Sequence, residues 1–191
     1  MPVVISISPG ADETPVHMLS WRILAMGLAL VVCAILVWAD YSYGRSRTHV
    51  GSKSQEGSHL YVLLGLNNNS PGLSEFGNRM ERRGIPTTVA NHGEWPALAQ
   101  LAIQEYQSGR LRSILIVGHS LGGGAAVEMA AALGRAGVPV QLVVMLDPVG
   151  GSQVSSNVRR SVILLPRGGE DHFSVIAAHD RDLSNYVLGK K

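Results

Sequence analysis

Between His59 and Leu188 the chain alternates short apolar runs with amphipathic stretches, and that alternation is its tightest constraint. HLYVLLGL (59–66), IPTTVAN (85–91), LRSILIVG (111–118), VPVQLVVMLD (138–147) and SVILLP (161–166) read as five strands. Most of them are apolar at successive positions, so both of their faces need cover. Between them lie helical patterns. One carries Leu73, Phe76 and Met80 and stops at Gly84. A second runs from Pro96 to Gly109. An alanine-rich third runs from Gly122 to Gly137, and a final amphipathic stretch from Ala178 to Leu188. Strands buried on both faces and separated by helices imply a parallel sheet between two helical layers. The expected fold is therefore a three-layer α/β/α domain with a sheet of about five strands over residues 59–191.

The residues before this domain follow a different rule. From Ile23 to Ala39 nothing is charged, and these 17 residues would make roughly 26 Å of helix. That is near the lower limit for a membrane span. Trp21 and Trp38 flank it, as amphipathic rings do at a membrane interface. Residues 1–20 are then an N-terminal tail, 21–39 a transmembrane anchor or a signal sequence, and 40–58 a polar, Gly/Ser-rich linker. Arg45, Arg47 and Lys53 after the span place the domain in the cytoplasm, whereas Arg22 before it argues for export. If the segment is cleaved, the product is secreted or periplasmic.

Composition removes several function classes. Cys33 is the one cysteine, which excludes a disulfide framework and a cysteine zinc site. No metal or cofactor is expected. A formal charge of +2 is too small to argue for nucleic acid.

The chemistry is concentrated in one turn. The third strand runs into Gly118-His119-Ser120-Leu121-Gly122, and the alanine-rich helix starts there. Between a strand and a helix, a G-x-S-x-G pattern has the context of a nucleophile elbow. The two glycines remove side chains that would collide with the flanking strand and helix. The helix N-terminus aims its dipole at the serine, and the Leu121 N–H is placed to donate to an oxyanion. Asp147 ends the fourth strand, at the sheet edge where such folds bind ligands. Glu170 and Asp171 are alternative acids. His172 follows the fifth strand in a short Gly-rich loop, and His179 is its rival. His119 is expected to support the elbow. His92, after the second strand, either lines a pocket or caps a turn.

GHSLGGGAA and the strand–helix order around it resemble the α/β-hydrolase superfamily. VPVQLVVMLDPV and NVRRSVILL resemble its small bacterial lipase- or thioesterase-like members. The resemblance covers roughly residues 59–188. It implies a serine nucleophile, an acid and a histidine in the chain order Ser120, Asp147, His172. It also implies a second oxyanion donor from the loop after the first strand, at Leu66 or Asn67, although no His-Gly-Gly run stands there. The expected reaction is hydrolysis of an ester or thioester through an acyl-enzyme, on a small-molecule or lipid acyl substrate, with membrane attachment through the N-terminal helix. A non-catalytic binding module on the same fold, or an acyltransferase using the same serine, are the other readings. The loop DPVGGSQVSSNVRR is too short for a lid, so the site is expected to be open.

Overall fold

The computed structural model describes residues 57–190. The expected tail, anchor and nearly all of the expected linker lie outside them. Strand β1 (Ser58–Leu64) leads through a 3₁₀ turn (Leu66–Asn68) to helix α1 (Leu73–Arg82). Strand β2 (Thr87–Asn91) and a second 3₁₀ turn (His92–Glu94) precede helix α2 (Trp95–Gln107). Strand β3 (Ser113–His119) feeds helix α3 (Leu121–Arg135), followed by strands β4 (Leu142–Leu146) and β5 (Ser161–Leu164). Helices α4 (Val175–Ala178) and α5 (Asp180–Val187) close the described chain. This is an α/β fold.

The five strands form one parallel sheet in the order β2-β1-β3-β4-β5. Alternation along the strands divides the core in two. Tyr61, Leu63, Ile114, Ile116, Val143 and Met145 face α2 and α3. Leu60, Val62, Leu115, Val117, Val144 and Leu146 face α1, α4 and α5. Phe76 of α1 is wholly buried in the second layer, and burying such a side chain stabilises by roughly 1.5–3 kcal/mol. The alanines of α2 and α3 let those helices approach the sheet closely, with Ala102, Ala126 and Ala130 fully buried.

Two expected elements are corrected. The fourth strand does not start at Val138: Val138 and Val140 are buried, but Val140 makes only an isolated bridge to Val158 before β4 begins at Leu142. The last helix starts three residues earlier than expected, at Val175, and breaks at His179, which caps α4 and opens α5. Among the described residues no helix is long and apolar enough to cross a membrane.

Candidate active site

The sheet order reverses between β1 and β3, and ligand crevices in such sheets open at that switch point, beyond the carboxyl ends of the strands. The loops leaving β1 and β3 meet there. Ser120 stands between β3 and α3 with φ 57° and ψ −124°, a conformation that L-residues adopt only under constraint. Its surroundings supply the constraint. The Ser120 N–H donates to the Leu146 carbonyl (3.0 Å), while the Ser120 carbonyl accepts from Gly123 and Val149 (both 2.9 Å). The two elbow glycines are sterically required. A Cβ on Gly122 would lie 2.0 Å from the Leu63 carbonyl oxygen, and one on Gly118 would lie 2.0 Å from that of Gly122.

The chain from β4 and the chain from β5 bring two further groups together. Asp147 leaves β4 with φ 38°, and its Oδ2 accepts from His172 Nδ1 at 2.7 Å. A carboxylate can only accept, so Nδ1 carries a proton, and in the neutral ring Nε2 then presents a lone pair. That is the tautomer a general base needs. Both side chains are about one-third exposed, which leaves the imidazole open to a substrate. Among the described residues the Ser120 hydroxyl makes no side-chain hydrogen bond. The Asp147–His172 half of the constellation is thus made, and the Ser120–His172 half is not.

The alternative residues are engaged elsewhere. Asp171 turns back on its own loop: hydrogen bonds from the Ser174 amide and hydroxyl, and from the Phe173 amide, hold its carboxyl below the ordinary range. Glu170 accepts from the Arg167 N–H (2.8 Å). His179 is buried, with Nε2 3.2 Å from the Leu165 carbonyl oxygen. His92 lines a groove of about 260 Å³ with Trp95, Leu121 and Val149, and its Nδ1 lies 3.3 Å from the Gly65 carbonyl oxygen. The cap of that turn is Asn91, in a capping box with Glu94.

The loop after β1 supplies backbone donors. Leu66 and Asn67 begin its 3₁₀ turn, where the first N–H groups have no partner within the turn. Asn67 and Asn68 take left-handed conformations (φ 52° and 61°), which asparagine tolerates better than most residues. Gly65 brings this loop against the elbow, since a Cβ there would meet the Ser120 Cβ at 3.1 Å.

One participant has no signal in the sequence. Ser70 is buried and lies between the Gly65 N–H (2.9 Å) and His119 Nδ1 (2.9 Å). His119 Nε2 lies 2.7 Å from the His172 carbonyl oxygen. The carbonyl must accept, so the chain has one polarity: Gly65 N–H to Ser70, Ser70 O–H to His119 Nδ1, and His119 Nε2–H to His172. Burial pushes the His119 pKa down, which keeps the ring neutral and the polarity fixed. The relay ties the β1 loop, the elbow and the His172 loop together. Finding it needs the 49-residue separation between Ser70 and His119 to be closed by the fold.

Among the described residues no cluster of three or more His, Cys, Asp or Glu is placed to hold a metal ion. The arrangement can activate a hydroxyl and hold a developing oxyanion. The chain matches no protein-family model and shows no significant similarity to any curated protein, so its reading rests on the geometry of Ser120, Asp147 and His172.

Proposed function

We infer that the chain is a membrane-anchored serine hydrolase of the α/β-hydrolase type, acting on an ester or thioester. The observation that carries this reading is the 2.7 Å Asp147–His172 hydrogen bond beside a serine held at positive φ on a strand–helix turn. Ser120 Oγ attacks the acyl carbon while His172 Nε2 takes its proton. The Leu121 N–H and an N–H of Leu66 or Asn67 hold the oxyanion. Collapse expels the alcohol or thiol, which takes the proton from His172. Water then repeats the sequence on the acyl-enzyme. Asp147 fixes the imidazole and stabilises its protonated form. Leu66, Val149 and Phe173 are exposed around the site and offer apolar contact to an acyl chain. The groove beside Leu121, lined by His92, Trp95 and Val149, is open to solvent and offers an acyl chain a path away from the elbow.

A fluorophosphonate probe tests the nucleophile. The protein should be labelled covalently and Ser120→Ala should not. Labelling that persists in Ser120→Ala, or its absence from the unaltered folded protein, overturns the reading.

A further inference from the structure

All five strands start at one edge of the sheet and end at the other, so each helix that leads into a strand ends at the starting edge. The charges divide along this axis. Arg82 and Arg83 close α1, and Arg135 closes α3. Arg110 and Arg112 lead into β3, and Arg159 and Arg160 into β5. All seven are exposed, and among the described residues none is in an ion pair. Glu81 and Glu105 are the carboxylates near the helix ends on this side. The finishing edge carries Asp147, Glu170, Asp171 and Asp182 with Arg167 and Arg181, while Asp180 is paired with Arg79, so its balance is acidic. A formal charge of +2 conceals this separation.

Two adjoining recesses open on the basic edge. One, of about 410 Å³, is lined by Arg112, Arg159, Ser156 and Asn157. The other, of about 430 Å³, is lined by Arg160, Ser58 and Tyr186 and shares Ser113 and Gln141 with the first. The Arg160 guanidinium lies over the Tyr186 ring, 4.8 Å from its centroid, which fixes it at the wall. The Asn157 amide is spent on the Ala130 and Val138 carbonyls. The donors facing the recesses are therefore the guanidinium groups, the Ser156 hydroxyl and the exposed Gln141 amide, a set that suits a phosphate ester.

We propose that this edge docks on an anionic bilayer, with lipid headgroup phosphates seated between Arg112 and Arg159. Two features select a lipid surface over free phosphate. Arg82, Arg83, Arg110 and Arg135 lie outside both recesses, and an extended array complements a charged plane where a single anion needs only a point. The chain also enters the domain at this edge, at Ser58. Upstream lie the apolar run 23–39 and the intervening Arg45, Arg47 and Lys53. The inference rests on reading 21–39 as an anchor and does not depend on hydrolysis. Strand β3 has seven residues and spans roughly 23 Å, so docking by its starting edge leaves Ser120 facing water.

Hydrogen exchange on the full-length chain in nanodiscs tests this. Discs of phosphatidylcholine alone are compared with discs containing phosphatidylglycerol. Exchange over residues 110–113 and 156–160 should slow about fivefold or more on the anionic discs. High salt should reverse the effect, and Arg112→Glu/Arg159→Glu should remove it. Unchanged protection of residues 142–146 in that variant establishes that it is folded. Equal exchange on both discs overturns the proposal, as does equal protection on neutral discs by inorganic phosphate. Covalent labelling of Ser120 measured on the same samples separates failure of docking from failure of the hydrolase reading.

Discussion

Asp147 and His119 hold His172 from two sides, one through its ring and the other through its backbone. Their loss should differ accordingly. Asp147→Asn keeps the volume but offers Nδ1 a donor or a neutral acceptor, so the imidazole is free to take the wrong tautomer. The proposed hydrolysis should fall by about 10³–10⁴ in kcat with a small change in KM. Steady-state kinetics on an activated ester check this, and an unchanged kcat would remove Asp147 from its role. His119 acts on stability. Burial is the main cause of its lowered pKa, outweighing the His172 carbonyl, and His59 is lowered by burial as well. For both, the folded state takes up a proton less readily than the unfolded chain, whose histidine value is about 6.5. Their contribution is present above that pH and is lost as pH falls below it. Urea midpoints should drop between about pH 7 and about pH 5, and His119→Gln should flatten that drop. An equally steep drop in His119→Gln would count against the assignment.

At the scale of elements, the turn between β3 and α3 was legible because its chemistry is local. A strand of β-branched and aliphatic residues, two obligatory glycines and an alanine-rich helix fall within one short window. The structure adds the reason for the second glycine, which is the Leu63 carbonyl oxygen of the neighbouring strand β1. Gly122→Ala should therefore destabilise at the upper end of about 1–3 kcal/mol or beyond, because backbone must move. Gly109 has φ +75° with nothing within 4 Å of a Cβ, so Gly109→Ala should cost only the left-handed penalty of about 1–2 kcal/mol. Urea unfolding of the two variants orders them, and a Gly122→Ala no worse than Gly109→Ala would contradict the packing. The elements misjudged from sequence fail for one physical reason. Val138 and Val140 are buried and β-branched like strand residues. What keeps Val138 out of β4 is that its N–H is spent on the Leu133 carbonyl at the end of α3 and its carbonyl on the Asn157 side chain, which is remote in sequence. His179 interrupts an amphipathic run because its ring points inward to the Leu165 carbonyl oxygen, a tertiary contact that helical periodicity does not encode.

At the scale of the molecule, one sheet separates two cores and two charge fields. Ser120, the β1 loop and the Asp147–His172 pair gather at the finishing edge because parallel strands deliver every exit to one side. That is why residues spread from Gly65 to His172 form one constellation without a long insertion. The same sheet should make the domain unfold as a unit although its cores do not touch. Ile116 packs toward α2 and α3, while Ile85 packs in the layer of α1, α4 and α5, and both are essentially buried. Ile116→Val and Ile85→Val should each cost about 0.5–1.5 kcal/mol. Standing on opposite faces without shared partners, they should add to within about 0.3–0.5 kcal/mol in the double variant. Circular dichroism and tryptophan fluorescence should then follow one urea transition for all three variants, because each strand belongs to both cores. Two separated transitions, or a double variant far from the sum, would mean that one helical layer melts while the sheet and the other layer stay folded.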